Sequence, residues 1–257
     1  MIAIGCGLSI PVRAAFETGV TDAKILAAGN VRAIMNRFGN PALLQPDGNT
    51  RIGMTGSIYL SELGIWGSTL TAESAFRNRP YSLTGTFYGD EVYGEYAVSV
   101  ASGHQLYSTV DLGIALELRN LSIQNYGNYT GGGLTIGAVF RMTQALALGI
   151  SWQNVVQKPL VSKVPEPELF CVGLKYSNEV LDFMAGMEKD AQLPINLQIG
   201  TLSTWSDWWR IAVGYESAAN SYAIGTTILW SHWEMSYAWQ WRAQLPPRQM
   251  FSLYYSF

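Results

Sequence analysis

The last nine residues, Gln249-Met250-Phe251-Ser252-Leu253-Tyr254-Tyr255-Ser256-Phe257, decide the fold. Side chains alternate across a β-strand with a period of two. Phe251, Leu253, Tyr255 and Phe257 therefore share one face, and Ser252, Tyr254 and Ser256 the other. Residues 233–242 repeat the pattern: Trp233, Met235, Tyr237, Trp239 and Trp241 alternate with Glu234, Ser236, Ala238, Gln240 and Arg242. In a soluble sandwich the apolar face would look inward to a core. In a membrane barrel it looks outward to lipid and the polar face lines the interior, where Arg242 belongs, because an arginine at the bilayer midplane costs about 2–4 kcal/mol. A slip of one residue would exchange the two faces, so the pattern also fixes orientation.

The alternation recurs upstream. Leu112, Ile114, Leu116 and Leu118 oppose Asp111, Gly113, Ala115 and Glu117; Leu146, Leu148, Ile150 and Trp152 oppose Ala145, Ala147, Gly149 and Ser151. Phe170, Val172, Leu174 and Tyr176 oppose Cys171, Gly173 and Lys175; Trp209, Ile211, Val213 and Tyr215 oppose Arg210, Ala212, Gly214 and Glu216. Tyr222, Ile224, Ile228 and Trp230 form another outward row in which Thr226 is the one weak position. Less regular segments at 51–60, 67–75, 81–88, 134–141, 180–188 and 195–201 bring the expectation to roughly 12–14 strands, each needing about 9–11 residues to span a bilayer. Residues 91–106 read as a short helix or an irregular strand. Turn formers mark connections at Asn78-Arg79-Pro80, residues 125–133, Pro165-Glu166-Pro167 and Ala218-Ala219-Asn220. The expected fold is all-β: a transmembrane antiparallel β-barrel preceded by a short helical or irregular plug.

Composition agrees. Only 14% of the 257 residues are charged, against roughly 25% in ordinary soluble domains. The 9 Trp and 14 Tyr suit aromatic girdles at two bilayer interfaces. A net charge of −3 gives no basic footprint, so nucleic acid is not an expected partner. No run approaches the ~18 apolar residues of a membrane-spanning helix, and an open sheet edge cannot be satisfied in hydrocarbon, so a span requires a closed barrel. The Gly-x-Ser-x-Gly, His-Glu-x-x-His, P-loop and Cys-x-x-Cys motifs are missing. His104 and His232, the two histidines, read as loop residues without a ligand set. Neither catalysis, cofactor nor metal is expected.

Three segments follow. Residues 1–15 are apolar and end on small residues, like a secretory signal or its remnant, though the basic leader is missing. Loss of Cys6 with them would leave Cys171, a small packing residue on the interior face, and no intrachain disulfide. Residues 16–50 carry an apolar-small run at 23–35 and form a plug or hatch. A place inside the lumen would satisfy their backbone away from lipid; a tail outside the barrel is the alternative. Residues 51–257 make the barrel. Asp111, Glu117, Arg141, Lys175, Asp182, Glu188, Arg210, Glu216, Glu234 and Arg242 face its interior. They either line a gated polar lumen that touches solute or neutralise one another as ion pairs.

The run Asn30-Val31-Arg32-Ala33-Ile34-Met35-Asn36-Arg37-Phe38-Gly39-Asn40-Pro41-Ala42-Leu43-Leu44 resembles the amino-terminal Asn-Pro-Ala element of FadL-like outer-membrane proteins. The carboxyl half looks like the PorV/PorQ branch, through Glu188-Lys189-Asp190, Tyr237-Ala238 and Leu245-Pro246-Pro247. The resemblance spans residues 28–257 in outline and departs at Leu43, where a glycine commonly follows Asn-Pro-Ala. It implies a bacterial outer-membrane protein that passes hydrophobic small molecules beside Asn40, Pro41 and Ala42, with Pro41 fixing a rigid bend. The alternative implication is an accessory of type IX protein secretion and surface attachment, whose partners would be secreted proteins. The aromatic carboxyl end resembles the signal that outer-membrane barrels present to the barrel assembly machinery, with Phe251, Leu253, Tyr255 and Phe257 as the row it reads. Deleting Phe257 should then lower membrane insertion far more than Ser256→Ala, measured as folded barrel in outer-membrane fractions; equal yields would exclude this reading.

Overall fold

The computed structural model describes residues 21–44, 50–60, 64–158, 168–190, 193–243 and 245–257. The proposed leader at 1–15 and the Pro165-Glu166-Pro167 turn lie outside them, as do residues 16–20 and 45–49 of the plug. The strands are β1 (Arg51–Leu60), β2 (Ile65–Phe76), β3 (Arg79–Gly89), β4 (Tyr93–Tyr107), β5 (Val110–Ile123), β6 (Gly127–Arg141) and β7 (Leu146–Lys158). They continue as β8 (Leu169–Ser177), β9 (Leu181–Asp190), β10 (Asn196–Ser206), β11 (Trp209–Glu216), β12 (Ser221–Trp230), β13 (Trp233–Arg242) and β14 (Leu245–Ser256). Each pairs with its sequence neighbours, and β1 pairs with β14 from Arg51↔Ser256 to Ile58↔Gln249. The result is a closed antiparallel barrel of fourteen strands.

Two expectations need correction. Of the two readings of residues 91–106 the strand is the one found: β4 starts at Tyr93, keeps unbroken register with β3 from Tyr81↔Ser102 to Gly89↔Gly94, and shifts register against β5 between Gln105 and Tyr107. His104 consequently lies within β4, not in a loop. The connection expected at 125–133 shrinks to residues 124–126, because Asn128–Gly133 pair with β5. Asn and Gly favour turns locally, but the ladder with a regular neighbour overrides that preference.

The two rims differ. At the end where Phe257 N–H donates to Thr50 O at 2.9 Å, the hairpins use two to four residues. One is Arg77-Asn78, with φ of 51° and 59°, the paired positive values of a type I′ turn. At the other end the connections range from two to ten residues. There Asp90 accepts from Val92 N and Tyr93 N at 2.7 and 2.8 Å, and these backbone donors, Tyr93 first, hold its carboxyl below the usual range.

Outside, the barrel shows an apolar belt between two aromatic rims. Met54, Leu70, Val98, Leu116, Ile199 and Ile224 are exposed along its middle. Trp66, Phe87 and Tyr96 cluster at the long-turn rim with centroids 4.6 and 5.1 Å apart, as do Tyr215, Tyr222 and Trp241. Trp205, Trp208, Trp230 and Phe257 stand exposed at the short-turn rim. This is the surface expected of a barrel in lipid. Thr226, the weak outward position, is covered: Trp209 Nε1 donates to its hydroxyl at 2.7 Å. On β14 the outward row is Phe251, Leu253, Tyr255 and Phe257, paired to Tyr237, Met235 and Trp233 on β13.

The core is inside. Residues 21–44 form an arc of α1 (Ala23–Ala27), α2 (Arg32–Met35) and a 3-10 turn at Pro41–Leu43. α1 packs on β11–β14, α2 on β7–β9 and the 3-10 turn on β4–β6. Leu26, Ala27, Ala28, Val31, Ile34 and Ala42 meet Val139, Met184, Leu202, Ala212, Ala238 and Met250. Glycines make this possible, at least one on the inner face of each strand from β4 to β12, among them Gly103, Gly113, Gly137, Gly149, Gly173, Gly186, Gly200, Gly214 and Gly225. A Cβ on Gly113 would collide with the backbone of Pro41 and Ala42, and one on Gly200 with the carbonyl of Ala28. Because the obstacle is backbone, no rotamer relieves it. Gly113→Val should therefore exceed the usual overpacking cost of about 1–3 kcal/mol and lower the temperature at which the barrel loses its compact gel migration. Gly56→Ala, whose Cβ would meet open space, should leave that temperature unchanged.

Candidate functional site

The candidate site is the lumen with the arc lodged in it. Both ends of the arc are fixed by named contacts. At the first, Asp22 caps α1 by accepting from Ile25 N at 2.9 Å, and Tyr254 Oη donates to its other oxygen at 3.2 Å. Ala23 N donates to Ser252 Oγ at 2.8 Å, so the helix start is tied to the inner face of β14. Beside it Glu234 receives Lys24 Nζ at 2.5 Å and Arg51 Nη2 at 2.8 Å, while Arg51 stacks 4.0 Å over the Tyr254 ring.

At the second end the Asn-Pro-Ala element does the anchoring. Asn40 Nδ2 donates to Ala33 O at 2.6 Å and to Ala138 O and Ile150 O at 3.3 Å each. Its Oδ1 accepts from Ala42 N at 3.1 Å and lies where a Cβ on Gly137 would sit. Asn40 thus joins α2, β6, β7 and the 3-10 turn. Pro41 follows at the first helical position, where its fixed φ fits and its missing N–H has no partner to lose. Asn40 and Pro41 are fully buried, and Ala42 and Leu43 border a cavity on the short-turn side.

Asp111, Glu117, Arg141, Lys175, Asp182, Glu188, Glu234 and Arg242 lie on the inner faces of their strands, and most are paired. Arg141 pairs with Asp111, Arg119 with Glu117, Lys175 with Asp182 at 2.9 Å and Arg32 with Glu188 at 3.0 Å. Arg242 donates to Tyr59 O at 2.7 Å and Pro246 O at 3.0 Å. Arg210 and Glu216 also point inward from β11. In the middle of the arc Arg37 pairs with Glu73 on β2, reaches Asp22 at 3.9 Å and lies 5.1 Å from the Tyr254 ring. Among the described residues no cluster of His, Cys, Asp or Glu is arranged to hold a metal.

Several site residues escaped sequence reading. Arg119 was legible by extending the inward row Asp111-Gly113-Ala115-Glu117 by one step. Asn154 was not. Alternation would set it outward with Trp152 and Val156, but its φ of 57° at a register shift between β6 and β7 turns it inside. There Arg119 Nη2 donates to its Oδ1 at 2.7 Å, in room left by Gly133.

Space remains on both sides of the arc. Toward the long-turn rim lies a cavity of about 90 Å³ bordered by Asn36, Phe38, Thr55, Tyr59, Tyr88, Glu95 and Asn154 among others. A second, of about 200 Å³, opens at the short-turn rim beside Leu43, Asp111, Arg141, Thr143 and Lys175.

No protein-family model matches the sequence, and no curated protein does. Solved structures do match. A deltaS2S3 mutant of the TodX monoaromatic hydrocarbon channel superposes with TM-score 0.71 at 13% identity, over 94% of this chain and 99% of that one. The Pseudomonas putida toluene transporter TodX gives 0.66 at 13% identity, over 92% and 97%. A FadL homologue of Pseudomonas aeruginosa gives 0.62 at 10% identity, over 92% and 98%. The chain shares their fold. These neighbours are channels and transporters rather than enzymes.

Glu234 is the carboxylate on which the first anchor depends. Glu234→Gln should remove charge-assisted hydrogen bonds worth about 1.5–3 kcal/mol each and loosen α1. Limited trypsin digestion reports it, because Lys24 is a cleavage site shielded by docking. Cutting after Lys24 should be faster in the variant, and an unchanged rate would show that the pair does not hold the arc.

Proposed function

We propose that this protein is a bacterial outer-membrane channel for small, largely apolar molecules, its lumen narrowed by residues 21–44. The observation that carries the reading is a closed barrel with an apolar exterior whose lumen holds an anchored arc with open space on both sides. The likeness to hydrocarbon channels over 94% of the chain supports it. The paired interior charges fit as well, since a charge satisfied within the wall does not hold a neutral solute. Phe251, Leu253, Tyr255 and Phe257 serve as the insertion row in this reading.

No observation favours the PorV/PorQ-like role. A barrel that receives secreted proteins needs a loop platform, and the described long-turn connections, such as 90–92, 124–126 and 217–220, are short. The two readings separate in one strain. Deleting the gene should lower uptake of a labelled small aromatic solute, toluene or benzyl alcohol, severalfold and leave the secreted proteome unchanged; a changed proteome with normal uptake would reverse the assignment.

A further inference from the structure

Among the described residues the helices and turn of the arc pack on the wall from β4 round to β14, and Arg37 alone reaches across β1–β3, to Glu73 on β2; this less covered stretch is the bare sector. The two sectors of wall differ chemically. Where the arc lies, the wall meets it through a run of glycines, with Ser151, Thr227, Ser236 and Ser252 beside them. Where it does not, the inner face carries hydroxyl groups: Thr55 and Ser57 on β1, Thr69 and Thr71 on β2, and Ser82, Thr84 and Thr86 on β3. Among the described residues no side-chain hydrogen bond engages the hydroxyls of Ser57, Thr69 or Thr86, and all three residues lie on cavity walls.

The space along this sector is divided. The upper cavity of about 90 Å³ is followed toward the short-turn rim by one of about 20 Å³ along β3–β5. Phe38 borders both, together with Thr86, Ala97 and Glu117. Since one water needs about 10–15 Å³ on this measure, the lower space admits water but not a ring. The Phe38 side chain is held half-buried at this point, with the Arg37 guanidinium 5.2 Å from its centroid.

We propose that the bare sector is the solute path, that Phe38 closes it between the two cavities, and that it selects small uncharged molecules combining an aromatic ring with hydroxyl groups. This rests on the channel reading and narrows its substrate class. Each hydroxyl of the wall both donates and accepts, so it can exchange partners with a passing hydroxyl. Tyr59 and Tyr88, edge to face at 4.8 Å, offer ring surface at the upper mouth. A charged solute would compete with pairs already made, such as Glu117 with Arg119. A bare hydrocarbon would leave the wall hydroxyls facing it without partners.

The test uses the full-length protein in planar bilayers, with correct folding checked by heat-modifiable gel migration. Phe38→Ala should raise ion conductance severalfold and Phe38→Leu less. Leu26→Ala, a truncation on the glycine side, should raise it far less than Phe38→Ala. 4-Hydroxybenzyl alcohol should block the Phe38→Ala current at about a tenfold lower concentration than 4-ethyltoluene, which matches its shape without hydroxyls. Combining Phe38→Ala with Thr69→Val and Thr86→Val should erase that preference, and Thr86→Ser should keep it. Conducting variants that ignore Phe38, or that show no preference for the hydroxylated ring, overturn the inference and leave the channel reading standing. If the wild type and every variant pass neither ions nor solute, the channel reading itself fails.

Discussion

A strand edge in hydrocarbon finds no water, and each unsatisfied peptide group there costs several kcal/mol. The pairing of β1 with β14 is therefore the constraint on which this structure depends. It removes the last free edge, and it makes a sealed interior out of what would otherwise be a twisted sheet. Closure also divides the side chains absolutely, because every residue faces either lipid or lumen. Charges such as Glu234, Asp111 and Lys175 can lie only inside, where each finds a partner.

A sealed interior must then be filled or hydrated. Among the described residues the filling comes largely from residues 21–44, and the wall yields to them. Glycines facing one another across neighbouring strands, as in Gly103↔Gly113, Gly113↔Gly137, Gly149↔Gly173 and Gly200↔Gly214, form a continuous shelf. On it the arc approaches to backbone contact, so Leu26, Val31 and Ile34 supply volume that the wall residues lack. Helices of four and five residues are too short to persist alone in water. Their conformation follows from the shelf, from the Asp22 cap and from Asn40, which replaces absent helical bonds with bonds to two strands.

The same division explains what could be read from the chain beforehand. Lipid imposes a binary pattern strict enough that Trp233 to Trp241 declare their face without any neighbour. β4 hid because its outward Tyr96, Val98 and Val100 alternate with Glu95, Ala97 and Ser99, a weak contrast that a small-residue helix would share. Residues 128–133 hid because their Asn and Gly signal turns, while the register that overrides them belongs to β5. The glycines were visible, but their meaning depended on where the arc would lie. Asn154 could not be placed at all, since a bulge breaks the parity on which such reading relies.

The shelf and the hydroxyl wall meet at the two ends of the arc, and that junction suggests how one lumen can be both blocked and passable. Asp22 and Lys24 fasten the first end to β13 and β14; Asn40 and Leu44 fasten the second near β4 to β7. Neither anchor crosses the bare sector. Among the described residues the side chain that crosses it is Arg37, which leaves the middle of the arc to reach Glu73 on β2 while resting against Phe38 and Tyr254. A displacement of Arg37 and Phe38 would change the width of the path without disturbing the glycine contacts or the Asn40 hydrogen bonds. In the proposed channel, stability and passage would thus rest on different residues of the same short segment, and a solute would pass without the plug leaving the barrel.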